Sequence, residues 1–461
     1  MKKTAVNARF IKPAHNFKIM KHKSVVLLAV LSVIASAVFI AGCASILKTN
    51  ATQVSPTPSA SPLPGITPGG QGLSASTGTS VVDANNQFTH DLFREISLNQ
   101  TTGNDNILFS PFSISSALAI TYEGARGNTA DEIRSVFYFP ENSTSMREGF
   151  ALLNAGINSK DAGYTLSTAN ALWAEKTYPF LPEYIGTAET YYAANTTNLD
   201  FKGQPEASRQ SINSWLEDKT NNKIKDLLPP GSIAPITRLV ITNAVYFKGT
   251  WQKQFDANKT ADAPFRKPDG TTVTVKMMQR TDKDAVYPYT ENADLQVITL
   301  PYTSTSGKGL SMLVLLPKDD DLSTIDQYLD PVNLSALTQS ESSRRVMVYF
   351  PKFKIETRYS LPKTLGTMGM PTAFSDRADF SGMDGTKILY ISDAIHKAYI
   401  DVNEEGTEAA AATAVVMWVK AVETEEPVPV FRADHPFVFL IQDDDSGAIL
   451  FAGRITNPGN T

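Results

Sequence analysis

Apolar positions recur at helical spacing in the first half of the chain and change to short alternating or continuous runs in the second. Phe88, Leu92 and Ile96 share one helical face, and Ser110-Pro111 reads as the cap and first turn of a helix carrying Ile114, Leu118 and Thr121. Thr129-Ala130-Asp131-Glu132 has the form of a capping box ahead of Ile133 and Phe137, and a further amphipathic helix is predicted from Ser208 to Lys219. Strands are predicted at Leu239 to Phe247, Thr271 to Met278, Leu310 to Leu316, Val346 to Phe350, Phe437 to Ile441 and Ile449 to Ala452. Helices first and strands later point to the α+β class and away from a doubly wound parallel sheet. From Val82 to Thr461 there is no internal repeat and no linker-like composition, so this stretch is predicted to be one large domain.

The N-terminus has a different pattern. Val25 to Ala41 is uncharged and mostly apolar and directly follows Lys21, His22 and Lys23, the layout of a secretory signal, although its length also suits a short membrane helix. It ends in Ile40-Ala41-Gly42-Cys43-Ala44-Ser45, which resembles the lipobox of prokaryotic lipoproteins, where the chain is cut before a cysteine that becomes acylated. On that reading residues 1–42 are a signal peptide and Cys43 is the lipidation site. The competing reading is an uncleaved anchor, and both put the body outside the cell. The stretch that follows, SPTPSASPLPG and then TPGGQGLSASTGTS, has too few bulky apolar side chains to offset the entropy of ordering it. A flexible tether is therefore expected over 43–82, with the domain from 83 to 461.

Charge and cysteine count narrow the possible chemistry. The net charge is −5, but residues 1–42 carry seven Lys or Arg and no Asp or Glu, which leaves 35 basic against 47 acidic residues on the remainder. An acidic body repels phosphates, so no nucleic-acid partner is expected. One cysteine excludes an intrachain disulfide and any multi-thiol zinc, redox or iron–sulfur site. The chain contains no G-x-S-x-G, no H-E-x-x-H and no phosphate-binding G-x-x-x-x-G-K-[ST]; Gly307-Lys308-Gly309 lacks the upstream glycine. The body is thus expected to be no enzyme, with no metal and no cofactor.

The most informative stretch is 404–435, EEGTEAAAATAVVMWVKAVETEEPVPVFRADH. Its alanines favour a helix, with Glu408 suited to the first turn. Taken in isolation that is the favoured reading, but the segment also fits a strand: Thr407, Ala409, Ala411, Thr413, Val415 and Met417 alternate onto one face without a charge among them. Gly406 suits a hinge, and no proline interrupts the run until Pro427.

Glu404-Glu405-Gly406-Thr407-Glu408-Ala409-Ala410-Ala411-Ala412-Thr413-Ala414 closely resembles the reactive-loop hinge of inhibitory serpins. Asn106-Ile107-Leu108-Phe109-Ser110-Pro111, Asn243-Ala244-Val245-Tyr246-Phe247-Lys248-Gly249, Phe350-Pro351-Lys352-Phe353, Phe431-Arg432-Ala433-Asp434-His435-Pro436-Phe437 and Phe451-Ala452-Gly453-Arg454 resemble other stretches of that family, in order, from about residue 83 to the C-terminus. The resemblance implies N-terminal helices, a large central β-sheet, two smaller sheets and an exposed reactive-centre loop at about 404–430. It implies a suicide inhibitor of serine proteases: the cut loop inserts into the protein's own sheet and carries the acylated protease with it.

By the family's spacing the scissile bond is Lys420–Ala421, which implies a trypsin-like target; a shifted register would offer Trp418 or Met417 and a chymotrypsin-like one. The resemblance also places a hinge at Glu404, Glu405, Gly406, Thr407, Glu408, Ala409, Ala410, Ala411 and Ala412. It places a buried shutter at Ser110, Ser113, Asn243 and His396, and a breach at the top of the sheet at Trp251, Lys352 and Glu404. The implied partner is a serine protease, bound covalently by a monomer that touches the membrane only through its lipid anchor. Two other readings remain at this point: a non-inhibitory serpin acting as carrier or chaperone, and a substrate-binding lipoprotein of a transporter.

Overall fold

Phe88, Leu92 and Ile96 all point inward from one helix, Ala75–Asn99. In this computed structural model residues 75–99, 106–157, 163–305, 307, 309–319, 321–407 and 427–459 are described. The first helix begins at Ala75, and its Val81 and Val82 are buried. Ser110 caps the helix Pro111–Gly124 as expected, its hydroxyl accepting from the Ser113 N–H. This helix is buried nearly all round, so its apolar character shows no strong stripe.

The capping box is corrected. The next helix, Gly127–Phe137, starts two residues before Thr129. The Thr129 hydroxyl accepts from the Asp379 N–H at 2.9 Å, and the Glu132 carboxylate takes the Thr372 N–H and hydroxyl at 2.9 and 2.7 Å. Tertiary partners have claimed both side chains. The helix predicted from Ser208 runs Pro205–Lys219, with proline in its first turn.

Three sheets carry the strands. A seven-stranded sheet has the order Ile107–Phe109, Ile449–Ile455, Phe437–Asp443, Leu310–Pro317, Leu295–Pro301, Val286–Glu291, Ser342–Arg345. Leu310–Pro317 is buried at every position, which explains why its sequence is apolar throughout except for Ser311 instead of alternating. A four-stranded sheet has the order Val430–Arg432, Met347–Pro351, Thr272–Arg280, Ala261–Arg266. The six-stranded sheet has the order Phe353–Ser360, Ile395–Val402, Gly406–Thr407, Leu239–Thr250, Tyr164–Glu175, Asn195–Leu199. It holds the two longest strands, of twelve residues each, although the first sheet has one strand more.

The six-stranded sheet is the one that matters for function. Tyr164–Glu175 and Leu239–Thr250 pair antiparallel along most of their length, and so do Phe353–Ser360 and Ile395–Val402. Between these two halves the chain supplies only Gly406 and Thr407. Thr407 pairs with Val402 on one side and Gly249 on the other, and Gly406 pairs with Thr250. Both flanking strands are antiparallel to this stub and therefore parallel to each other. Among the described residues no ladder joins them directly.

Candidate functional site

At the top of the seam the hinge backbone is held by the segment that follows Leu239–Thr250. The Trp251 N–H donates to Glu405 O at 2.9 Å and the Phe255 N–H to Glu404 O at 2.9 Å. The Trp251 indole N–H reaches Asn403 O at 3.0 Å, so one buried tryptophan grips the turn before the stub from two directions. Asn403 closes that turn, its N–H donating to Gly406 O and its side-chain oxygen accepting from the Glu405 N–H.

Glu404, predicted for this region, forms an ion pair with Lys352 at 2.7 Å and accepts from the Thr260 hydroxyl at 2.7 Å. Burial works against ionisation of this carboxyl, but the Lys352 and Thr260 hydrogen bonds outweigh it and leave Glu404 below its ordinary value. The carboxylate is therefore charged at neutral pH and ties the hinge to the strand Met347–Pro351, which Lys352 follows.

Beneath the ion pair lies an aromatic slot. Tyr302 stacks on Trp251 with ring centroids 4.5 Å apart and meets Phe247 edge-on at 4.9 Å. Its hydroxyl shares a 2.8 Å hydrogen bond with Thr407 Oγ1, and both residues are fully enclosed. Burial raises the Tyr302 pKa far above the ordinary phenol value, so the group is neutral. Sequence reasoning missed Tyr302, Thr260 and Asn403, because Tyr302 is 105 residues from Thr407 and no local pattern joins them.

Lower in the sheet, the His396 ring accepts the Ser110 N–H at Nε2, 3.0 Å away. Burial lowers its pKa to about 3, so the ring is neutral and free to accept. The Ser110 hydroxyl donates to Leu450 O at 2.6 Å. The cap of one helix thus joins a strand beside the seam to the seven-stranded sheet. Ser113 adjoins this group through its backbone N–H, while its hydroxyl is buried without a partner among the described residues. Asn243 pairs with Asn170 in the ladder, and its side chain lies outside the described set. Glu408, Ala409, Ala410, Ala411, Ala412, Lys420, Ala421 and Cys43 also lie outside the described residues.

Fold and site together define a class: an α+β protein built around a sheet with a seam at its centre, into which a long connecting segment has placed its first two residues. The chain belongs to the serpin family. The family model described as Serpin (serine protease inhibitor) matches residues 83–458. The chain is 43% identical to the leukocyte elastase inhibitor of Bos taurus over 81% of its own length and 98% of that protein's. It is 42% identical to an uncharacterised serpin-like protein of Thermococcus kodakarensis, covering 82% of this chain and 86% of the relative. Among solved structures it resembles human thyroxine-binding globulin complexed with thyroxine, with a TM-score of 0.72, 30% identity, and coverage of 83% of this chain and 99% of the other.

Proposed function

We propose that this serpin inhibits a trypsin-like serine protease by suicide loop insertion. The observation that supports the reading is the seam: two parallel strands, paired on their outer sides, with a two-residue stub between them at one end. In the sequence the stub is followed by a segment whose positions in alternation with Thr407 are small or apolar, Ala409, Ala411, Thr413, Val415 and Met417. Once a protease has opened the loop and become its acyl-enzyme, that segment is free to extend the ladder. About ten new hydrogen bonds at roughly 1 kcal/mol net each supply on the order of 10 kcal/mol, comparable with the stability of a whole domain. Zipping ahead of ester hydrolysis traps the enzyme.

Lys420 is the residue read by the protease, with Ala421 after the scissile bond, and Cys43 anchors the exported protein by a lipid. Among the described residues no helix is long and apolar enough to cross a membrane. A carrier role, of the kind that the name thyroxine-binding globulin gives for that protein, has less support, because Thr407, Ala409 and Ala411, which alternate along the hinge sequence, are small and uncharged.

The test is a denaturing gel of the protein mixed with trypsin. The proposal predicts a covalent adduct that survives denaturation and release of the fragment Ala421–Thr461. Clean cleavage with full trypsin activity remaining contradicts it.

A further inference from the structure

We infer that Tyr302 is a positioning residue for trapping: its hydroxyl holds Thr407 in the sheet before cleavage and so supplies the nucleus from which the loop zips. The inference rests on the inhibitory reading above, but its structural half can be tested separately.

Starting an inserted strand is the costly step, because the first residues must be ordered and the flanking strands parted before any run of ladder bonds forms. Here that step is already taken. Thr407 is paired on both sides, to Val402 and to Gly249, and is fully enclosed. A threonine hydroxyl in such a place is tolerable only with a partner, and the partner found is Tyr302. Tyr302 is in turn fixed by packing: its ring lies flat on Trp251 and edge-on to Phe247, and its backbone bridges to Trp251. Trp251 holds the Glu405 carbonyl on the other side of the same turn. One aromatic pair therefore clamps the hinge at two points, through the backbone at Glu405 and through the side chain at Thr407. Only the second point selects for a hydroxyl at residue 407.

Removing one hydroxyl orphans the other, whereas removing both leaves an apolar contact of nearly the same shape. The outcomes follow from that asymmetry. In the full-length protein, Tyr302→Phe and Thr407→Val are each expected to raise the moles of inhibitor consumed per mole of trypsin inactivated by about fivefold or more, while the double variant returns close to the parent value. Hydrogen exchange at the Gly406 and Thr407 amides is expected to speed up in each single variant and to recover in the double. A purely structural role for the tyrosine would give no recovery in the double variant. Unchanged exchange and unchanged consumption in Tyr302→Phe overturn the inference. If the parent protein forms no covalent adduct while exchange follows the predicted pattern, the clamp stands and the inhibitory reading falls.

Discussion

A Cβ at Gly406 would lie 2.0 Å from the Gly249 carbonyl oxygen and 2.8 Å from the Thr250 Cα, and the residue has φ +154°. Both obstacles are backbone, so no side-chain shift relieves them. Gly406→Ala is expected to expel the stub at a cost on the order of 1–3 kcal/mol, read as faster hydrogen exchange at Thr407 and a lower melting temperature. Two titrating residues act in opposite directions on stability. His396 is held neutral, with a pKa of about 3 against an ordinary value of 6.5, so the folded state binds fewer protons than the unfolded state between those values. Its effect is a stability that falls as pH drops below 6.5. Burial raises Glu341 to about 7, against the weaker opposing effect of its hydrogen bond from Thr299. The folded state there binds more protons between the ordinary carboxyl value and about 7, and stability falls as pH rises through that window. Glu341→Gln is expected to melt higher relative to the parent at pH 8 than at pH 5, and His396→Gln to flatten the acid side of the melting curve. Equal pH profiles for parent and variants contradict these assignments.

At the scale of elements, the hinge is fastened by a partly exposed ion pair and a buried hydroxyl, and the two differ in weight. Lys352 is 38% exposed, so Lys352→Ala is expected to cost no more than about 1 kcal/mol, with an effect that shrinks in high salt. Thr407→Arg would place an unpaired charge in a fully enclosed slot; it is expected to convert the protein from inhibitor to substrate, seen as cleaved product without adduct. This contrast also explains what the sequence could reveal. Three adjacent strands of the seven-stranded sheet, Leu310–Pro317, Phe437–Asp443 and Ile449–Ile455, were legible because burial leaves mostly apolar runs, whereas Leu295–Pro301 and Val286–Glu291 in the same sheet were not. Tyr164–Glu175 was missed, because its sequence YTLSTANALWAE mixes small, polar and helix-favouring residues, and its place is set by the ladder with Leu239–Thr250. The Glu404–Lys352 contact was reachable only through family resemblance, and the Tyr302–Thr407 bond not at all, since long-range pairing leaves no local periodicity. Thr129 and Glu132 failed as a box for the related reason that tertiary acceptors and donors outcompeted the local ones.

At the scale of the whole molecule, the proposed trap requires that the six-stranded sheet accept a longer strand where Gly406 and Thr407 now stand. The flanking strands Leu239–Thr250 and Ile395–Val402 extend well beyond the two residues that now separate them. On the inhibitory reading proposed above, a more stable arrangement is available to this molecule, and continuity of the chain between Thr407 and the strand Val430–Arg432 withholds it. Cutting the loop removes that constraint without removing an atom from the body. The direct measurement is the thermal unfolding of the protein before and after a single cut near Lys420, with the two fragments left together. A melting temperature many degrees higher for the cut form is the predicted result. A cut form that melts at or below the intact one would show that no energy is stored in the uncut state, and loop insertion could not drive the trap.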